Sequence, residues 1–264
     1  MVSENASTRY SWFLALIVAL VLALFLAGCG GQQASSASSS ESGASAESSA
    51  AADEIAIPED LASATETAKG IADNGAAEDV EDLSALPTRE SDKSNDLEVA
   101  ELAEGSADQS KVPQNQILLQ EGGVQMCIPS AWLVSRDYDG YVMGPRDGSV
   151  TGYLYSDYKK SGVRYDLESM AASIPKNMAS NGWTNIEIID YGTAYSDKGT
   201  LCSAYIFYAA SRGGSEYVLF QQFVESASYI NVLELGGPSA GFEANYNDLK
   251  AAANSLGFVP GEAI

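Results

Sequence analysis

The chain has 264 residues, with 36 acidic against 14 basic side chains and a formal charge of −22. It contains no histidine, which excludes Ser-His-Asp and Cys-His nucleophile systems and zinc sites that need imidazole. Its three cysteines are too few for a thiolate-only metal site, and an acidic chain without a basic patch does not hold nucleic acid through the phosphates.

The N-terminus sets an address. Met1–Ser11 is polar, Trp12–Ala27 is an unbroken apolar run of sixteen residues, and the small residues Ala27 and Gly28 lead into Cys29. This is the order of a secretory signal peptide, and the run falls below the ~20 residues that a spanning helix needs. Leu26-Ala27-Gly28-Cys29 resembles a bacterial lipobox. That resemblance implies a diacylglyceryl group on the Cys29 thiol and cleavage just before it, leaving residues 1–28 as a lipoprotein signal peptide. The mature protein is then expected outside the cytoplasm, anchored to the cell membrane by lipid and not spanning it. Acyl chains contribute ~0.8 kcal/mol per buried methylene, so two or more give stable anchoring.

Residues 29–116 read as a tether. Gly30–Ala52 is almost entirely Gly, Gln, Ser, Ala and Glu, the composition of a flexible linker. Residues 30–116 carry 19 acids and 4 bases, and no aromatic residue occurs between Phe25 and Trp132. A segment this polar is expected to stay disordered, because it buries too little to offset its chain entropy. Two short helical stretches stand inside it. Pro58-Glu59-Asp60-Leu61 opens one, with Ala64, Ala68 and Ile71 at helical spacing and Gly75 as a stop; Asn95-Asp96-Leu97 opens another running to Glu104. Helices this short are marginal alone, so the segment reads as a solvated spacer, the alternative being a docking motif that folds on a partner. As a coil its ends lie on the order of 50 Å apart.

Residues 117–264 hold the folded domain, with 20 aromatic residues between Trp132 and Phe258. Ile117–Gln120 and Val124–Ile128 around Glu121-Gly122-Gly123 predict a hairpin that Pro129 ends. Tyr141–Gly144 and Val150–Ser156 flank a turn at Pro145-Arg146-Asp147-Gly148. Asp166 caps a helix whose apolar face is Leu167, Met170, Ala171, Ile174 and Met178, stopped at Gly182; Pro175 is expected to kink or shorten it. Strands follow at Trp183–Tyr191, Thr193–Ser196, Leu201–Ala210, Tyr217–Val224 and Tyr229–Leu235. Several are apolar on both faces and so covered on both. In Leu201–Ala210, Leu201, Tyr205 and Phe207 are expected on one face and Cys202, Ile206 and Tyr208 on the other. Phe242, Tyr246, Leu249, Ala253 and Leu256 predict one last helix, ended by Gly257.

The expected fold is therefore α+β, a largely antiparallel sheet covered by helices on both faces. This order of elements, with the opening Gly123-Val124-Gln125-Met126-Cys127-Ile128-Pro129 and Trp132, resembles the PsbP-like α/β/α sandwich over roughly residues 117–260. The resemblance implies a non-enzymatic binding or assembly module and carries over no individual residue.

Candidate sites are few. Gly237-Pro238-Ser239-Ala240-Gly241 matches G-x-S-x-G between a strand and a helix, but no histidine can take the serine proton, so a turn with Ser239 at a helix start is expected. Asp137-Tyr138-Asp139-Gly140 lacks the remaining ligands of a calcium loop and reads as a turn. No metal or cofactor site is expected. With Cys29 acylated, Cys127 and Cys202 are left as a disulfide or as two buried thiols. Tyrosines crowd residues 138–165, and Tyr153, Tyr155, Tyr158, Lys159, Lys160 and Arg164 form the least acidic patch of the domain. It is the expected partner-binding face, the alternative being rings packed beneath helices. The sequence thus points to a lipid-anchored, extracytoplasmic binding module of the bacterial envelope. The other readings are a carboxylate-based glycan hydrolase and a small-solute receptor, which need converging carboxylates and an enclosed pocket respectively.

Overall fold

The computed structural model describes residues 55, 57–75, 80–91, 101–137 and 139–264. Cys29, the signal segment and residues 29–54 lie outside the described residues. The described chain opens with helix α1 (Glu59–Asn74), followed by β1 (Glu101–Leu102), the hairpin strands β2 (Gln116–Glu121) and β3 (Val124–Pro129), then β4 (Leu133–Asp137), β5 (Gly140–Gly144) and β6 (Thr151–Tyr158). Helix α2 (Leu167–Ser180) precedes three long strands and a shorter one, β7 (Thr184–Ser196), β8 (Leu201–Arg212), β9 (Ser215–Glu225) and β10 (Tyr229–Pro238). Helices α3 (Ser239–Ala244) and α4 (Tyr246–Asn254) and strand β11 (Gly257–Phe258) complete it.

Eight strands form one sheet in the order β1-β7-β8-β9-β10-β6-β5-β4, antiparallel throughout except for the β1–β7 pair. The fold is α+β, as the strand pattern predicts. The apolar residues on both faces of β8, β9 and β10 are what place these strands at its centre. On one face Ile206, Tyr208, Leu219, Phe223 and Val232 pack under α1 and α2. On the other Phe207, Phe220, Leu233 and Leu235 pack under α3, α4 and a second, three-stranded sheet of order β11-β3-β2. The predicted first hairpin therefore forms, but as part of a covering layer. Its turn residues Gly122 and Gly123 sit at φ +53° and +81°, the left-handed conformation that a two-residue hairpin loop requires.

The domain boundary expected at residue 117 is corrected. Helix α1 buries Leu61, Ala64, Ala68, Ile71 and Ala72 in the same cluster as α2 and the sheet. Downstream, Thr88 bridges Ile188, Leu102 is wholly buried on β7, and Glu104 bridges Phe258. The spacer reading failed over these residues because helix α1 is made of small side chains. Alanine adds little to a hydropathy profile, but it lets a helix lie close against a sheet and bury its neighbours. The second tether helix, expected from Asn95 to Glu104, is not seen in its described part, where Glu101 and Leu102 are a strand.

Three local expectations also change. Pro175 sits inside α2 without ending it; the helix runs on to Ser180, held on both sides of the proline by the buried Met170, Ile174 and Met178. The single C-terminal helix is two, broken at Asn245, whose side-chain amide donates to Ser149 Oγ (2.9 Å) and to the Gly241 carbonyl (2.9 Å). Cys202 is not on the face of Ile206. It is the extra residue of a β-bulge, since Ala194 pairs with Ser203 and Tyr195 with Leu201, and the bulge turns it to the side of Tyr205 and Phe207. The disulfide left open for Cys127 and Cys202 is not formed: Cys127 lies in the small sheet, and Cys202 Sγ donates to the Ala194 carbonyl at 3.6 Å. Burial raises both thiols, that of Cys202 to about 11, so neither is a reactive thiolate.

Candidate functional site

The patch expected from the sequence is already occupied on one side. Tyr153 and Tyr155 share a face of β6, and helix α1 lies over it. Tyr155 is 8% exposed; its hydroxyl donates to Asp73 Oδ1 (2.8 Å), and the Lys69 ammonium stands 4.9 Å from its ring centre. The cations are paired as well: Lys159 with Glu225 (2.9 Å), Lys160 with Asp157 (3.4 Å) and Asp73 (3.7 Å), Arg164 with Asp166 (2.9 Å). Tyr158, 65% exposed, lies apart against Tyr229, ring centres 4.4 Å apart. Helix α1 of the same chain thus covers the Tyr153 and Tyr155 part of the expected face.

Ser239 is not an activated nucleophile. Its hydroxyl donates to Glu216 Oε1 (2.7 Å), and Glu216 is clamped by Arg89 through two parallel bonds of 3.0 and 2.7 Å. The bonds from Arg89 and Ser239 hold the Glu216 carboxyl down at about 2, which makes it a poor general base. Ser239 also lacks the left-handed backbone of a nucleophile elbow, since the positive-φ non-glycine residues are Ala107 and Asn185 among those described. Asp139 closes the β4–β5 turn and accepts from Lys69 (3.0 Å), a structural ion pair where a calcium loop would need free ligands.

A cleft of 420 Å³ opens elsewhere, between α2, the turn at Leu83–Ala85 and strands β7 and β8. Ala171 and Ala172 of α2 and Ala204 of β8 give it a small-residue floor. Tyr191, 46% exposed, is its aromatic wall; Tyr205 borders the cleft from β8, but its ring lies on the opposite face of the sheet, against Phe220. On that opposite face Gly192 makes room for the Tyr205 ring, because a Cβ there would stand 2.9 Å from Tyr205 Oη. The Tyr205 hydroxyl donates to Asp190 Oδ2 (3.1 Å), which fixes the ring.

The rim is acidic. Glu81, Asp82 and Glu168 border the cleft, and among the described residues lining it none is cationic. Asp82 accepts from both Ser84 Oγ (2.6 Å) and Ser84 N (3.0 Å), and these bonds hold its carboxyl below the usual range, so it is an anion at neutral pH. An apolar floor, an aromatic wall and carboxylates at the mouth suit an aliphatic stem that ends in a cation. The sequence reading missed this site because two of its rim acids lie in the segment taken as spacer. The signal that could have found it is the buried Leu83 beside the Asp82-x-Ser84 turn, a local cap in an otherwise featureless acidic run.

No family model and no curated protein matches the sequence. Among solved structures, the chain is similar to cyanobacterial PsbP (CyanoP) from Synechocystis sp. PCC 6803, at 13% identity and TM-score 0.44 over 58% of this chain and 98% of that one. It is also similar to the Saccharomyces cerevisiae Ran-binding protein Mog1p, at 10% identity and TM-score 0.40 over 56% and 97% of the two chains. A third likeness is to LpqN, involved in cell envelope biogenesis of Mycobacterium tuberculosis, at 11% identity and TM-score 0.33 over 60% and 89%. None of the three carries a residue or a partner over to this chain.

Proposed function

We propose that this protein is an extracytoplasmic lipoprotein, anchored through acyl chains on Cys29, whose α+β body is a non-enzymatic binding module. Its partner is a protein of the cell envelope, and the cleft beside Tyr191 receives a lysine-bearing segment of that partner. The observation that carries the reading is the cleft itself: carboxylates, with no cation among the described lining residues, surround a floor of alanines and the exposed ring of Tyr191. Charge complementarity selects a basic side chain, and the aromatic wall favours one whose aliphatic stem can lie against a ring. A glycan hydrolase needs a carboxyl kept protonated as general acid. Glu234, which burial raises to about 7, has that property but is sealed beneath α1, away from the cleft.

The test is a titration of isotope-labelled protein with a tri-lysine peptide, read by NMR. Tri-lysine is expected to shift the amide signals of Tyr191 and Thr193 and of the first turn of α2, with the effect lost in Tyr191→Ala and at least tenfold weaker in Glu168→Gln. The reading fails if tri-glutamate shifts the same signals, if the shifts spread over the whole acidic surface, or if free cadaverine binds as well as the peptide.

A further inference from the structure

Glu234 lies in the middle of β10 and is 1% exposed. Its carboxyl meets Thr65 Oγ1 of α1 at 2.8 Å and the side-chain amide of Gln221 on β9. Gln221 Oε1 accepts from the Tyr208 hydroxyl of β8 (3.0 Å), and its amide also reaches the Ala64 carbonyl of α1 (3.4 Å). One polar network thus runs from three central strands into the buried side of α1, through a surface that is otherwise apolar.

Among the described residues, the elements around Glu234 bring no cation to it. Helix α1 presents Ala64 and Thr65, β9 presents Gln221, and β6 presents Tyr153 as the residue paired across from it. Helix α2 contributes Met170, Ile174 and Met178 to the same cluster. The nearest turn of α1 carries Glu66 and Lys69, and Lys69 is taken by Asp139 of the β4–β5 turn (3.0 Å) and by Glu66 (3.4 Å). Tyr208 is held above the usual phenol range by burial and by Glu234 itself.

We infer that α1 is a proton-controlled latch: it stays docked while Glu234 carries a proton and lifts from the sheet when that carboxyl ionises, uncovering Tyr153 and Tyr155. An ionised carboxyl without a cation is costly in a dry seam, and admitting water by parting helix from sheet relieves it. The hydrogen bonding suits both states. Thr65 Oγ1 lies 3.2 Å from the Leu61 carbonyl, so with Glu234 protonated it accepts from the acid and donates to Leu61; with Glu234 ionised it donates to the carboxylate. Burial holds Glu234 up at about 7, which places the switch near neutrality. The phenols and the ammonium that tie α1 down are moved away from that range. Tyr155, bonded to Asp73, and Tyr217, bonded to Asp60, are both raised above the phenol range by burial and by those bonds. Burial lowers the Lys69 ammonium, but Asp139 and Glu66 outweigh it and hold the group above its usual value. The inference is independent of the acidic cleft.

Hydrogen exchange on the full chain tests it, with protection factors corrected for the intrinsic effect of pH. Between pH 5.5 and 8.5, protection of the α1 amides is expected to fall about 30-fold in the wild type. It is expected to stay flat in Glu234→Gln, and in the wild type the α1 amides are expected to be less protected than those of β8–β10 at every pH, as a local opening requires. An equal fall in Glu234→Gln, or none in the wild type, overturns the latch. A second readout needs no variant: the side-chain carboxyl carbon of Glu234 should titrate together with the α1 amides near pH 7, and a midpoint near 4.5 for that carbon overturns the latch equally.

Discussion

Two carboxyls with opposite shifts shape how this protein responds to pH. Glu216, bonded to Arg89 and Ser239, is lowered to about 2. Its contribution is present above its ordinary value of about 4.5 and is lost as pH falls toward 2. Glu216 is largely exposed, so solvent screens this term. Glu234 is raised to about 7, so its contribution is complete below about 4.5 and is lost as pH rises to 7. At 1.36 kcal/mol per pKa unit the Glu234 term amounts to about 3 kcal/mol. Stability should therefore peak on the acid side, near pH 4.5 to 5, and decline toward pH 8. Urea denaturation at pH 5 and pH 8 checks this: wild type is expected to lose about 2 to 3 kcal/mol between them and Glu234→Gln less than about 1. A wild-type optimum above pH 7 would contradict the assignment.

At the scale of elements, the sequence yielded what its period exposes. The two-sided apolar strands β8, β9 and β10 were legible because their composition states their burial, and α2 was legible from the Asp166 cap and its apolar face. Helix α1 was legible as a helix but not as part of the core. Its docking depends on alanines at 0% exposure and on hydrogen bonds to distant residues: Thr65 to Glu234, Asn181 to Thr67, Tyr217 to Asp60. Nothing local encodes those partners. The bulge at Cys202 was illegible for a similar reason, since one unpaired residue leaves the period of the sequence intact while it reverses a side chain. Close approach of α1 to the sheet makes a specific prediction. Ala64→Leu adds three carbons where no space exists and should destabilise the protein by about 1 to 3 kcal/mol in denaturant melts, with early proteolytic cleavage within residues 59–74. Wild-type stability and wild-type protease resistance would show that α1 is not packed as described.

At the scale of the molecule, the layered body presents an acid-rimmed cleft on one side of α2 and a docked N-terminal helix on the other. The candidate cleft was only half legible. Tyr191, Tyr205 and Glu168 stood in predicted strands and a predicted helix, but Glu81 and Asp82 belonged to a stretch whose folding is decided by contacts far along the chain, such as the Thr88–Ile188 bridge and the Arg89 pairs to Glu187 and Glu216. The proposed role in the envelope requires that the body be delivered and held there, which the proposal assigns to acylation of Cys29. Mass spectrometry of the native protein extracted from membranes tests it most directly. The account predicts an N-terminal peptide that begins at Cys29 and carries a diacylglyceryl thioether; a chain that keeps residues 1–28 with an unmodified thiol at Cys29 would contradict it.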